Sequence, residues 1–162
     1  MGDGQAGKSV AENGTGTDLQ AFAVALRRTI GEANRLVHGF ASAERLHSTD
    51  VHALAFVLDH PDTATPGLLS KHLGLSSGAV TACLDRLEKA GHIRRSRADD
   101  DRRVVRIHYV PGARAVARAH FMPLAQAADR ARDRFTEDEL AVVLRYLDAL
   151  NEELGELRAP RR

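Results

Sequence analysis

Residues 65–91 read TPGLLSKHLGLSSGAVTACLDRLEKAG, a stretch whose turn residues predict two short helices joined by a tight turn. Thr65 followed by Pro66 predicts a helix start, because a hydroxyl caps free backbone amides and proline fits the first helical position. Gly74 and Gly91 predict two helix ends, since glycine adopts a left-handed backbone at little cost. The predicted helices cover residues 66–73 and 77–90.

The second of these helices has an apolar face and, opposite it, a face of small and polar residues. Val80, Leu84 and Leu87 recur at helical spacing and are predicted to be buried. A helix with small residues at its N-terminal end fits the major groove of duplex DNA and lets hydroxyl groups reach bases or phosphates. The candidate DNA-binding residues on this helix and in the turn before it are Ser76, Ser77, Gly78, Thr81, Ala82 and Arg86.

A basic β-hairpin is predicted directly after the two helices. Residues 92–97 and 104–110 have the pattern of strands, because Val105, Ile107 and Tyr109 alternate with polar side chains. Arginine at the tip of such a hairpin can enter the minor groove beside a helix bound in the major groove. The candidate DNA-binding residues of the hairpin are Arg97, Arg102 and Arg103.

Two further helices are predicted before this region. Apolar residues at offsets of three and four predict a first helix from Leu19 to Val37, followed by a connection over residues 39–47. Ser48 or Thr49 can cap a shorter second helix. The apolar stripe of this second helix consists of Val51, Leu54, Ala55 and Leu58.

Two more long helices are predicted after the hairpin. Pro111 opens a helix to about Arg134, which Pro123 is expected to kink by removing a backbone donor. Thr136 caps a last helix whose apolar stripe is Leu140, Val143, Leu144, Leu147, Leu150, Leu154 and Leu157. No further segment of the chain is left to cover the stripes of the first and last helices, so the sequence predicts a homodimer.

The predicted fold class is therefore mostly α with a small β-hairpin wing. It combines a winged helix-turn-helix lobe with long helices that form an intertwined dimer interface. The predicted division is a flexible arm over residues 1–17, a single domain over 18–157 and a tail over 158–162. Within the domain, residues 48–110 form the DNA-binding lobe, and the dimerisation segments are 18–47 and 111–157.

Both the helix pair and the hairpin resemble the MarR family of transcription regulators over roughly residues 18–157. The most specific segments are residues 77–81 (SGAVT), residues 85–88 (DRLE) and residues 101–103 (DRR). The resemblance implies a dimer that binds an inverted repeat in double-stranded DNA, commonly as a repressor released by a small aromatic or phenolic ligand. It also implies DNA contacts by Ser77, Gly78, Thr81 and a wing-tip arginine.

A small-molecule site is expected between the dimerisation helices and the DNA-binding lobe. His52 and Phe56 are four residues apart and are predicted to share a helix face, and His38 and Phe40 end the first helix nearby. Arg45 could bind the carboxylate of an aromatic acid. The predicted pocket residues are thus His38, Phe40, Arg45, His52 and Phe56, although His52 and Phe56 could instead simply pack against the first helix.

Composition excludes several other functions. The 162 residues are 43% hydrophobic and 28% charged, as in a globular protein, and the net charge of +1 is uninformative by itself. A single cysteine excludes an internal disulfide, and no segment is apolar enough to cross a membrane, so a cytoplasmic protein is expected. No signature predicts a cofactor or an enzyme, and Asp59, His60 and Asp62 read as a turn.

Three alternatives stay open at this point. Eight histidines allow a metal sensor, but His47 and His52 are five apart, and His108 and His120 belong to different elements. Cys83 allows a redox sensor, although its place on the buried side of a helix favours a packing role. A winged helix that contacts only other proteins is the third alternative.

Overall fold

The computed structural model describes residues 18–97 and 103–157, which contain six helices and two strands. Their bounds are α1 Leu19–Ala43, α2 Ser48–Asp59, α3 Pro66–Leu73, α4 Ser77–Lys89, β1 Ile93–Arg97, β2 Val105–Tyr109, α5 Pro111–Arg132 and α6 Glu137–Glu156. The chain divides into two compact units, one ending at Leu36 and the other beginning at Val37. The predicted arm, the predicted tail and Arg102 lie outside the described residues.

Helices α3 and α4 begin and end as their sequence predicts. The Thr65 hydroxyl accepts a hydrogen bond from the Leu68 amide at 3.3 Å, and Pro66 is the first residue of α3. Gly74 ends α3 with a φ of 65°, in the left-handed region. Ser76 then caps α4, its hydroxyl accepting from the Ala79 amide at 3.3 Å. The predicted helix-turn-helix is confirmed.

The two strands form an antiparallel hairpin that is fastened to the rest of the lobe by its backbone. Ile93 pairs with Tyr109 and Arg97 with Val105 at the two ends of the register. Between them, the amide of Ile107 donates to the carbonyl of Ala64, before α3, at 3.0 Å. Val110 follows β2 directly and immediately precedes the first residue of α5, so a single residue separates the wing from the long helix.

One apolar core holds the DNA-binding lobe together. Its side chains come from the end of α1, from α2, α3 and α4, and from both strands, and Leu69, Leu87 and Ile107 are completely buried. The predicted face of α4 is confirmed, since Val80, Leu84 and Leu87 all belong to this core. Removing such side chains from water supplies most of the favourable free energy of folding.

Helix α1 is longer than predicted, and the expected connection over residues 39–47 is wrong for its first half. The helix continues to Ala43 because Phe40 and Ala41 are both buried in the core, which outweighs the low helix propensity of Gly39. It ends where Arg45 takes a φ of 55° and the Leu46 amide donates to the Ala41 carbonyl at 2.8 Å.

Helices α5 and α6, which lie wholly within the described residues, bury none of their side chains. Helix α5 continues through Pro123, and α6 starts with a reciprocal pair of bonds between Thr136 and Glu139. Large apolar side chains of the two helices are exposed at Val116, Met122, Leu124, Val142, Val143, Leu144, Tyr146, Leu147 and Leu154. In the described part of the chain, no helix combines the length and apolarity needed to cross a membrane.

Two neighbouring leucines of α3 allow a direct test of the core. Leu69 is 0% exposed and Leu68 is 44% exposed. We expect Leu69→Ala to lower the free energy of unfolding by about 2–5 kcal/mol, because it leaves a cavity among packed side chains. Leu68→Ala should lower it by less than about 1 kcal/mol. Urea denaturation at one fixed protein concentration measures both, and equal effects would contradict this assignment of the core.

Candidate DNA interface and effector cavity

The face of α4 that is opposite the core is exposed along its whole length. Ser77, Gly78, Thr81 and Ala82 are all exposed, and their small size leaves the helix backbone accessible. The Thr81 hydroxyl donates to the carbonyl of Ser77 at 2.9 Å, so its oxygen remains available as an acceptor. Ser76 is also exposed, but its hydroxyl is engaged in capping the helix. We call α4 the reading helix.

The wing is held against the reading helix by Arg95. Its Nε and Nη2 donate to Glu88 Oε2 at 2.9 and 2.6 Å, and Nη2 also lies 2.5 Å from Asp85 Oδ1. The hydrogen bonds from Arg95 lower the pKa of Glu88 below its usual value. Of the predicted wing-tip arginines, Arg97 and Arg103 are exposed, and Arg102 lies outside the described residues.

Arg86 is placed differently from the other candidate DNA contacts. Its Nε and Nη2 donate to the two carboxylate oxygens of Asp50, at 3.1 and 2.6 Å. Burial alone raises the pKa of Asp50, but the hydrogen bonds from Arg86, the His47 amide and Cys83 outweigh it and lower the pKa. Asp50 is therefore an ionised and fully buried carboxylate, and part of the Arg86 guanidinium is already engaged.

A large apolar cavity of about 980 Å³ lies between α2, α5 and the C-terminal end of α1. Its walls are mostly aliphatic and aromatic, which is typical of small-molecule sites. The apolar lining includes Val37, Phe40, Val51, Leu54, Ala55, Leu58, Phe121 and Met122. The polar side chains on its walls are those of His52, Tyr109, Arg114 and Arg118.

The structure brings together only part of the predicted pocket. Phe40 and His52 line the cavity, but His38, Arg45 and Phe56 do not. Phe56, four residues after His52, is 4% exposed and packs into the core of the lobe, with the rings of His60 and His72 at centroid distances of 4.3 and 4.9 Å. Arg45 follows α1, is exposed and does not line the cavity.

Arg114 and Arg118 were missed as cavity residues, although the sequence contains a signal for them. They are four residues apart after Pro111 and so share one face of the predicted α5. Tyr109 was predicted only as a strand residue. Burial, followed by the negative charge of Glu44, raises the pKa of Tyr109 to about 12, so the phenol keeps its proton at neutral pH.

The residues weighed for other chemistry have structural roles in this lobe. His60 Nδ1 lies 2.9 Å from the carbonyl of Phe56 at the end of α2, and His108 Nε2 lies 2.8 Å from the hydroxyl of Ser96. Over residues 18–97 and 103–157, no group of three or more His, Cys, Asp or Glu side chains could hold a metal ion. Cys83 is 1% exposed and packs beside Asp50.

The amino-acid sequence is similar to those of a known protein family. The MarR family profile matches residues 46–104. A curated relative from Bacillus subtilis strain 168, the uncharacterized HTH-type transcriptional regulator YcgE, is 35% identical over 148 residues, covering 88% of this chain and 95% of its own length.

Two solved structures are similar over nearly their whole length. Streptococcus pneumoniae FabT in complex with DNA is 29% identical with a TM-score of 0.63, covering 86% of this chain and 99% of its own. A MarR family transcriptional regulator from Silicibacter pomeroyi is 25% identical with a TM-score of 0.63, and the similarity covers 90% of this chain and 96% of the regulator.

The environment of Cys83 predicts a thiol that does not react in the folded protein. Burial, and then the hydrogen bond to Asp50, raises the pKa of Cys83 from 9.0 to about 12, which lowers the thiolate fraction by about a thousandfold. We expect no reaction with a thiol-specific disulfide reagent at pH 8 on the time scale of minutes, and complete reaction once concentrated guanidinium has unfolded the chain. Rapid modification of the native protein would instead support a redox sensor.

Proposed function

The chain belongs to the MarR family of DNA-binding transcription regulators, and from this we propose that it is a homodimeric repressor released from an inverted-repeat operator by a small ligand. Membership of this family also confirms that the protein is a regulator and not an enzyme. The observation that carries the proposal is the exposed face of the reading helix, flanked by a wing with exposed arginines.

The proposed DNA contacts follow from this arrangement. The reading helix would enter the major groove with Ser77, Gly78, Thr81 and Ala82 towards the base edges, and the wing arginines would reach the adjacent minor groove. The similar FabT structure is a complex with DNA, which supports the same use of this lobe here. Arg86, whose guanidinium is bound to Asp50, is not among the proposed DNA contacts.

A second copy of the chain is the proposed partner of the long helices. Leu144 is 61% exposed and Val142 is 54% exposed on α6, and Val116 is 49% exposed on α5. Exposed apolar surface of this extent is uncommon in a monomer. A two-fold dimer would cover the same surface on both copies and would set the spacing of the two reading helices.

The proposed effector is a small aromatic or phenolic acid that binds in the cavity. The apolar walls suit an aromatic body, and two arginines of α5 can pair with a carboxylate. The protonated hydroxyl of Tyr109 adds a hydrogen-bond donor. Because the cavity is bounded by α2 on one side and α5 on the other, a ligand would favour dimers with one particular placement of the DNA-binding lobes.

DNA binding is tested with duplexes that the wild-type protein selects from a random library. We expect an imperfect palindrome with half-site centres about 10 bp apart and two chains bound per duplex. Arg102→Ala with Arg103→Ala should weaken binding at least about tenfold and lower the salt slope by about 0.9 for each phosphate that is no longer neutralised. Thr81→Ala should mainly alter discrimination between operators.

The matched control is Arg27→Ala with Arg28→Ala, which removes the same charge from exposed positions of α1. It should leave the salt slope unchanged. If both double substitutions weakened DNA binding equally, the wing arginines would act only through net charge. If the wild type bound every duplex with equal affinity, sequence-specific binding would be refuted.

The cavity is tested by releasing operator-bound protein with 2-naphthoate. We expect Arg114→Gln with Arg118→Gln to raise the naphthoate concentration needed for half-release by about tenfold or more, because a charged hydrogen-bond partner is removed. Arg45→Gln removes an exposed arginine outside the cavity and should leave this concentration unchanged. If the wild type, the Arg114/Arg118 variant and the Arg45 variant all release DNA at the same naphthoate concentration, the naphthoate carboxylate does not bind to the arginines of α5.

A further inference from the structure

Asp50 and Arg86 form a two-pronged ion pair that joins α2 to the reading helix. The two residues are 36 positions apart in sequence, and the Asp50 side chain is 0% exposed whereas that of Arg86 is 42% exposed. Asp50 is itself held in place, because its Oδ2 accepts a hydrogen bond from the His47 amide at 3.0 Å. The carboxylate is thus anchored to the first turn of α2 and binds α4 from its core side.

Most other contacts of the reading helix with the core are apolar and carry no directional bond, as at Val80, Leu84 and Leu87. The Cys83 thiol adds a hydrogen bond to Asp50 itself, and Arg95 of the wing pairs with Asp85 and Glu88 on the exposed side of the helix. A turn of about 10° about the helix axis moves a side-chain end, which lies about 5–6 Å from that axis, by roughly 1 Å. Hydrogen bonds to base edges do not tolerate such a displacement.

A two-pronged contact between a guanidinium and a carboxylate does define rotation. The planar fork of arginine matches the carboxylate in one orientation, and Nε and Nη2 both donate to Asp50. Arg86 follows Cys83 by three residues and lies at the edge of the core face of α4, so a rotation of the helix would shift its fork relative to the buried carboxylate.

We propose that Asp50, acting through Arg86, is a positioning residue that sets the rotation of the reading helix and thereby the discrimination between DNA sequences. The inference rests on the proposed function, in which α4 reads base edges. It assigns Arg86 a different role from a phosphate contact, since its charge is already paired with Asp50 in the free protein. Because desolvation of the buried Asp50 offsets much of its attraction to Arg86, the ion pair is expected to add little net stability.

The test compares two substitutions of Arg86 on two duplexes. The duplexes are the operator selected by the wild-type protein and the same duplex with both half-sites scrambled. We expect Arg86→Lys and Arg86→Gln each to reduce the ratio of the two affinities about tenfold, because neither side chain reproduces the fork. Affinity for the scrambled duplex should stay within about twofold of wild type, and the salt slope should not change.

A phosphate contact by Arg86 would give the opposite pattern. Lysine would then preserve most of the affinity, and Arg86→Gln would weaken binding to both duplexes alike and lower the salt slope by about 0.9 per phosphate. Arg103→Gln on the wing provides the reference for such behaviour, and Arg45→Gln is the control for an exposed arginine outside the interface. Three outcomes would overturn the proposal. The first is that Arg86→Lys preserves most of the affinity and discrimination. The second is that Arg86→Gln weakens binding to both duplexes alike, and the third is that it lowers the salt slope.

Asp50→Asn provides the second arm, because a completely buried residue cannot touch DNA. It should reduce discrimination as Arg86→Lys does, with scrambled-duplex affinity unchanged or raised by the released guanidinium charge. The combined variant should discriminate no worse than either single one, since both substitutions disrupt the same ion pair. A combined reduction equal to the product of the two single reductions would contradict the proposal.

Circular dichroism at the assay temperature establishes that each variant is folded. If Asp50→Asn is unfolded there, the partly exposed Arg86→Lys still decides the question. Failure of the wild-type protein to select any duplex would refute the proposed function itself, whereas normal selection with normal discrimination by Arg86→Lys would refute only this inference.

Discussion

A carboxylate buried out of contact with water must be neutralised or surrounded by donors, and the DNA-binding lobe meets this condition at Asp50. Its donors come from three places: the backbone at His47, the Cys83 thiol and the Arg86 guanidinium. Because these groups belong to the start of α2 and to the reading helix, satisfying one charge aligns two elements. The carboxylate side of this contact is shielded from water, whereas the Arg86 side chain remains 42% exposed.

The local parts of the fold could be predicted because their causes are local. Thr65, Gly74 and Ser76 act on backbone groups three or four residues away, so their effect is visible in the sequence. The contact between Asp50 and Arg86 joins residues 36 positions apart and leaves no periodic pattern. The sequence offered one sign of this contact: Asp50, a charged residue, stands directly before the apolar residues of α2, where a buried position would need a partner.

The cavity shows how a helix face can be misjudged from periodicity. Val51, Leu54, Ala55 and Leu58 form the stripe that the sequence identifies, and all four line the cavity. Val51 and Leu54 are also buried in the core, together with Ala53, Phe56 and Val57, so of the stripe only Ala55 and Leu58 are exposed. A helix that is apolar on two sides separates a packed core from an open space, and the sequence pattern does not tell the two sides apart.

The junction at Val110 has a consequence for how the chain length can vary. Val110 is the single residue between β2 and α5, and its amide donates to the carbonyl of His92 at 2.9 Å, so the connection between the wing and the long helix cannot lengthen without disturbing one of them. Each residue inserted here would rotate α5 by about 100° and shift it by about 1.5 Å relative to the hairpin. Insertions and deletions should therefore be rare at this junction among related sequences, even where the neighbouring side chains differ freely.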